Sequence, residues 1–451
     1  MNKDLTRGPV MRTMLFFAVP MILGNLLQQC YNIADTMIVG KYLGKNALAA
    51  VGSSFTLMTF LTSILLGLCM GSGAVFSIRF GQQNENKLRE SISASFILIA
   101  GLTAVLNVLA FAFMDKIQLF LRVPDEVWEI MRGYLAIVFC GIAATFLYNY
   151  FASYLRAIGN SVVPLIFLAV SAVLNIVLDF LFVLGLNRGA AGAAEATVIA
   201  QYVSGLGIMV YTLAKHPKIR NSLISCRISW ACVKEIAGFS ILTCIQQSVM
   251  NLGILMVQGL VNSFGAVIMA AFAAAVKIDA FAYMPVQDFG NAFSTFIAQN
   301  YGAKKEDRIQ KGLKGAAVTA VVFSVIVSGI VWIFAGQLMG LFVDAKDAEA
   351  AEIIREGISY LHIEGSFYCG IGCLFLLYGL YRALGKPGMS VVLTVISLGT
   401  RVVLAYALSA VPSIGVSGIW WSVPIGWFLA DAVGLSCYIF RKKRLLNTHG
   451  T

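Results

Sequence analysis

From Met14 to Gly40 the chain is apolar almost without a break, and stretches of the same kind recur to its end. A run of ~20 apolar residues is what an α-helix needs to cross a bilayer. Lipid offers no water to an open backbone, so only helices and closed barrels span it. The runs are continuous rather than alternating, which argues against a barrel. The expected fold is therefore an all-α polytopic membrane protein. Composition agrees, with 59% hydrophobic and 12% charged residues, where soluble chains average about 25% charged. The mean hydropathy is +0.82. The first run is too long for the ~7–15-residue apolar core of a signal peptide and no small-residue cleavage site follows, so it reads as a span.

Apolar runs and charged breaks place twelve spans near 14–40, 48–79, 92–114, 127–155, 162–187, 190–213, 237–263, 267–299, 313–342, 353–381, 389–410 and 415–440. Several exceed ~20 residues, so tilt or protruding ends are expected. An even number of spans puts both termini on one side. Lys and Arg concentrate on that side, as in Arg79, Lys87 and Arg89, Lys215 to Lys234, and Lys304 to Lys314. The positive-inside rule then makes both termini cytoplasmic in a prokaryotic plasma membrane. The net charge of +11 is accounted for by topology and calls for no nucleic-acid partner.

Several loop segments repeat. "RFGQQNENKLRES" after span two matches "NYGAKKEDRIQKG" after span eight, with Gly81 facing Gly302 at an offset of 221. "LRAIGN" after span four matches "YRALGK" after span ten, and "GAAGAAEAT" before span six matches "SIGVSGIWW" before span twelve, both at an offset of 226. The expected architecture is two pseudo-symmetric six-helix lobes, residues 1–213 and 237–451, joined by a basic cytoplasmic linker at 214–236. Paired lobes of this kind build many secondary transporters.

Charged residues inside the spans are the candidate site. An ionised Asp at the bilayer centre costs at least about 2.5–3.5 kcal/mol. Span direction puts Asp35, Tyr134, Asn175, Asp179 and Thr197 at similar depth in the outer half of the first lobe. Asn175 and Asp179 are four residues apart and share a helix face. Two carboxylates, an amide, a hydroxyl and a phenol make an oxygen-rich set suited to a proton or a small cation. Pro20 in span one and Pro285 in span eight are candidate hinges. The second lobe carries Lys277, Asp279, His362, Glu364, Arg401 and Asp431. These read either as internally paired structural charges or, for Asp279, Glu364, Lys277 and Arg401, as groups lining a substrate cavity. Abundant Met and Phe suit a deformable apolar cavity. The nine Cys are scattered and read as free, buried thiols, with neither a disulfide framework nor a metal site.

"P...GN...Q..YNIADTMIVG" in span one, "LRAIGN" with "LNIVLD" around span five, and "PVQDFGNAFSTFIAQNYGAKK" after Met284 resemble the multidrug and toxic compound extrusion (MATE) transporters of the multidrug/oligosaccharidyl-lipid/polysaccharide exporter superfamily. The resemblance covers nearly the whole chain. It implies alternating access and export of organic, mostly cationic, drugs and xenobiotics driven by H+ or Na+ entry. It also implies a cation-coupling site at Asp35, Asn175, Asp179 and Thr197, which would hold Na+ if sodium is the coupling ion, with Tyr134 beside it and Pro20 as the bending proline. The chain departs from a sodium-coupled subclass that carries Glu on span seven and Asp on span ten. Span seven here offers Gln246 and Gln247, and "FYCGIGCLFLL" on span ten has no acid. The expectation is thus a transporter rather than an enzyme, acting as a monomer with no cofactor beyond its coupling ion. The alternative is a flippase of lipid-linked oligosaccharide or lipid II type in the same superfamily, which Lys277 and Arg401 keep open.

Overall fold

The apolar runs fold as helices throughout. The computed structural model describes residues 4–43, 45–121, 123, 125–225, 228–343 and 349–446, and among them there are sixteen α-helices and no strand. In chain order they are α1 (Val10–Leu43), α2 (Lys45–Gly81), α3 (Glu85–Ala112), α4 (Met114–Leu121), α5 (Asp125–Cys140), α6 (Ile142–Ala157), α7 (Val162–Asp179), α8 (Gly189–Lys215), α9 (Pro217–Ser225), α10 (Trp230–Asn262), α11 (Ala266–Gly302), α12 (Glu306–Gly340), α13 (Ala350–Gly365), α14 (Tyr368–Ala383), α15 (Pro387–Ser409) and α16 (Ser417–Leu446). A π-helical turn, Phe180–Gly185, extends α7. Lys3, Arg122, Arg227, Lys346 and His449 lie outside the described residues, as does part of the 214–236 segment.

Among the described residues ten helices are long and apolar enough to cross a bilayer alone, and two bent helix pairs bring the number to twelve if each is one span. The bends, 41° between α5 and α6 and 52° between α13 and α14, are in the fourth span of each half. Neither contains proline. The first break is at Gly141. The second follows Gly365, where the Ser366 hydroxyl donates to the His362 carbonyl at 2.6 Å. Small residues and hydroxyls that bond back to the helix are ordinary causes of such kinks. By contrast α1 and α11 run on as helices through Pro20 and Pro285.

The molecule divides into two compact units, one built on Leu23–Cys244 and the other on Leu5–Ile22 with Ile245–Thr451. The division falls inside α1, just beyond Pro20, and inside α10. The basic segment is itself partly helical: α9 lies within it, and α10 begins at Trp230, where the Ser229 hydroxyl accepts from the Cys232 amide at 3.3 Å. That is an N-cap bond.

The two halves repeat each other in backbone detail. Gln83 and Lys304, non-glycine residues in the left-handed region, both have φ 55, and they are separated by the same offset as Gly81 and Gly302. Gly159 pairs with Gly385 (φ 82 and 76), and Gly189 with Gly415 (φ 61 and 53), both at the offset of the "LRAIGN" and "YRALGK" loops. Glycine tolerates this region without a Cβ penalty. The loop bonds match as well, Asn160 N to Leu155 O and Lys386 N to Tyr381 O, both 2.8 Å. The helix crossings are exchanged rather than copied. A Cβ on Gly73 of α2 would lie 3.3 Å from the Cβ of Ser153 on α6, and a Cβ on Gly379 of α14 would lie 3.3 Å from that of Ser294 on α11. The repeat offsets carry Gly73 onto Ser294 and Ser153 onto Gly379, so each crossing holds one Gly and one Ser on opposite helices. Small residues at crossings let membrane helices approach closely.

In the second unit the segment before α1 is fastened to the α11–α12 junction. Leu5 is buried, its amide donates to Gln299 at 3.1 Å, and its carbonyl accepts from Asn300 at 3.2 Å. Lys305 donates to the Thr6 carbonyl at 2.7 Å, and Arg308 to the carbonyls of Gly8 (2.7 Å), Leu5 (3.1 Å) and Arg7 (3.2 Å). Hydrogen bonds from charged groups contribute about 1.5–3 kcal/mol each. Arg308→Ala is therefore expected to speed tryptic cleavage after Arg7 about tenfold or more. Unchanged cleavage kinetics would contradict this fastening role.

Of the cysteines, Cys69 and Cys232 are buried, but Cys30 and Cys140 are exposed on the helix surface. The expectation that all are buried fails there, because an apolar outer face suits a thiol in lipid as well as a core does.

Candidate functional site

The polar residues of α7 fall on one stripe. Ser171, Asn175 and Asp179 recur every four residues and are buried with Leu168 and Ala172. That stripe faces α8. The Ser171 hydroxyl donates to the Ala200 carbonyl at 2.9 Å, and the Asn175 amide donates to the Thr197 hydroxyl at 3.3 Å. Small residues carry α8 into place: a Cβ on Gly205 would lie 2.6 Å from the Ala144 carbonyl oxygen.

Asp179 ends this stripe. It is the last residue of α7, its side chain is 0% exposed, and neither carboxylate oxygen has a hydrogen-bond partner. The π-helical turn follows it directly, and such turns recur at functional sites. Tyr134 of α5 is buried within electrostatic reach of both Asp35 and Asp179, and those two acids feel each other. Oδ1 of Asp35 and Oδ1 of Asn175 are also buried without partners. A cluster of apolar side chains from α1, α2, α5, the π turn and α8, including Ile38, Val51, Val138, Val183 and Ala193, packs around Tyr134 and fixes the elements that carry these groups.

The first-half candidates are thus drawn into one neighbourhood: Asn175 bonded to Thr197, and Asp35, Asp179 and Tyr134 mutually interacting. Removing a carboxylate from water without a partner costs several kcal/mol even after relaxation. Acceptor oxygens that converge with no donor aimed at them need a proton or a hard cation.

The second-half candidates separate. Asp279 of α11 and Glu364 of α13 are buried, and Tyr360 donates to Asp279 at 3.4 Å. Arg401 of α15, Tyr368 of α14 and Tyr283 of α11 interact with the same pair. Lys277 stays apart. It is exposed, with its ammonium 6.0 Å from the Phe342 ring centre. His362 stacks on Trp332, with ring centres 4.4 Å apart. Asp431 is buried beside Cys373. Gln246 and Gln247 are buried on α10.

Sequence reasoning missed Tyr360 and Tyr368. The repeat carried the signal: the offset that relates "LRAIGN" to "YRALGK" also carries Tyr134 onto Tyr360 and Asn175 onto Arg401. The second unit therefore repeats the first site's phenol and places a guanidinium where the first has an amide.

The MatE family model matches residues 20–181 and 240–407. The chain is 29% identical over 437 residues to the probable multidrug resistance protein YpnP of Bacillus subtilis, covering 96% of each chain. It is 24% identical over 450 residues to the multidrug export protein MepA of Staphylococcus aureus, covering 98% of this chain and 96% of that one. Its fold is similar to that of a solved MOP superfamily transporter from Pyrococcus furiosus, with a TM-score of 0.91 and 23% identity over 99% of this chain and 98% of the other.

Proposed function

We propose, for a chain that belongs to the MatE family of transporters, that it exports small organic and mostly cationic compounds in exchange for H+ or Na+. The coarser part rests on the family and on relatives named for multidrug resistance and multidrug export. The finer part rests on one observation: Asp179 is buried with both carboxylate oxygens unpartnered, in the same neighbourhood as Asp35, Asn175, Thr197 and Tyr134.

In this reading ion entry drives alternating access. The coupling ion binds among Asp35, Asp179, Asn175 and Thr197. Neutralising the acids removes the electrostatic penalty of one conformation and leaves the other less affected. Only such differential binding can move a conformational equilibrium. Pro20 lies in α1 between the anchored N-terminal segment and Asp35. It removes one backbone donor from the helix ladder, and in this reading α1 bends there as the site takes up and releases its ion. The two acids without a fixed cation also favour cationic substrates over the anionic diphosphate lipids of a flippase.

Expression in a strain lacking its own pumps is expected to lower accumulation of ethidium-like dyes, and an uncoupler or ionophore is expected to restore it. Unchanged accumulation across a broad cationic panel, with the protein present in the membrane, would overturn the reading.

A further inference from the structure

The repeat places an arginine near the end of each bent span, and the two arginines meet different surroundings. Arg382 of α14 is 4% exposed. Its guanidinium donates to the Asn291 side-chain oxygen at 3.0 Å and to the Ser294 hydroxyl at 3.4 Å, both on α11. Arg156 of α6 lies at the matching position, at the offset of 226. It is half-buried, and its Nε is buried without a partner. Among the described residues its guanidinium makes no hydrogen bond and no ion pair. The repeat supplies the reason. The offset of 221 carries Asn291 onto Met70 and Ser294 onto Gly73 of α2. Arg156 shares a helix face with Ser153, which meets Gly73. It therefore faces a stretch of α2 where a thioether and a bare backbone replace an amide and a hydroxyl. Met70 and Gly73 are only half-buried, so that stretch is not closed off. Two turns back on α6, the Tyr148 phenol is within electrostatic reach of Arg156. Tyr148 also interacts with Tyr31 of α1, which lies one turn before Asp35 and interacts with it.

We propose that Arg156 is an anion subsite of the first unit and binds a carboxylate carried by a transported compound. Charge is the first argument. A guanidinium stays protonated and can only donate, so its buried Nε is satisfied only by an acceptor. Tyr148 is a neutral phenol and does not compensate the charge. Its own proton is engaged, donated to the Pro164 carbonyl at 3.0 Å. Geometry is the second argument. The planar fork of a guanidinium matches a carboxylate with two parallel hydrogen bonds. The second unit meets the same demand with its own Asn291 and Ser294, whereas the first unit leaves it to something outside the chain. Tyr31 and Tyr148 lie between Asp35 and Arg156, and phenol faces suit an aromatic body held between an acid and a guanidinium. The subsite deepens the export reading and rests on it: Asp35 and Asp179 favour the cationic end of a compound, and Arg156 selects those that also carry an anionic group.

Equilibrium binding of a rhodamine with a free carboxylate, and of the methyl ester of the same dye, tests the subsite separately from export. Fluorescence anisotropy reads both affinities on the full-length protein in phosphatidylcholine nanodiscs. Arg156→Gln is expected to lower the ratio of carboxylate-dye to ester affinity by about tenfold or more, the cost of removing one partner of a charged pair. Met70→Asn is expected to lower the same ratio with the guanidinium still present, because it gives Arg156 the acceptor that Asn291 gives Arg382. A ratio unchanged in folded Arg156→Gln overturns the proposal. If Arg156→Gln does not fold, Met70→Asn decides, and an unchanged ratio there overturns it. Repeating the wild-type measurement in phosphatidylglycerol nanodiscs separates the two sources of an oxyanion. A ratio that falls to the Arg156→Gln level in that lipid would assign the guanidinium to a headgroup phosphate and overturn the substrate assignment. An Arg156-dependent ratio together with failed dye export would retain the subsite and reject the export reading.

Discussion

Asp179→Asn is expected to reduce energised dye efflux to the level of cells without the protein, with the same amount of folded transporter in the membrane. Asparagine keeps the size of the side chain and the packing of α7 against α8. It removes the charge that a coupling ion would bind. An ion must prefer one conformation by at least about 1.4 kcal/mol to shift the equilibrium tenfold, so the loss of efflux is expected to exceed about tenfold. Asp35→Asn is expected to act in the same direction, because Asp35 lies within electrostatic reach of Asp179. Thr197→Val is expected to have a smaller effect. It deletes the acceptor of the Asn175 amide and leaves both acids in place. Efflux rates measured at matched membrane levels separate these outcomes. Wild-type efflux by folded Asp179→Asn would remove Asp179 from the coupling site.

Gly379→Leu is expected to lose most of the folded protein. At this crossing of α14 with α11, a Cβ on residue 379 would lie 2.6 Å from the Gly290 carbonyl oxygen and 3.3 Å from the Ser294 Cβ. The nearest atom is backbone, so the clash is relieved only by moving a helix. Overpacking a well-fitted interior costs about 1–3 kcal/mol, and more where backbone must shift. Gly101→Leu on α3 is the matched control, since nothing lies within 4 Å of a Cβ there. Thermal unfolding followed by loss of monodisperse protein in detergent is expected to separate the two variants clearly. Equal midpoints would show that the α11–α14 crossing tolerates separation.

The spans, the all-helical class and the twofold repeat were legible in the sequence because each follows from local rules. Apolar run length decides whether a helix crosses lipid, and the near-equal offsets of the matching loops reappear in the structure as paired left-handed residues, Gln83 with Lys304 and Gly159 with Gly385. Asn175 and Asp179 could be placed on one face from spacing alone, because helical periodicity fixes which residues are neighbours along one helix. Which helix that face meets is a long-range matter, and the structure supplied it in the Asn175–Thr197 bond and the unpartnered Asp179 carboxylate. The sharp bends were not legible either. Prolines drew attention to α1 and α11, but the breaks lie at Gly141 and at Gly365–Ser366, because a kink depends on what packs beside a helix as well as on its own backbone donors. The second-unit charges were ambiguous from sequence for the same reason. Lys277 and Asp279 are next-but-one neighbours in the chain and point to different environments, one exposed at Phe342 and the other buried with Glu364 and Arg401. Sequence therefore determined which residues carry charge into the membrane, and only the tertiary structure decided which of those charges meet.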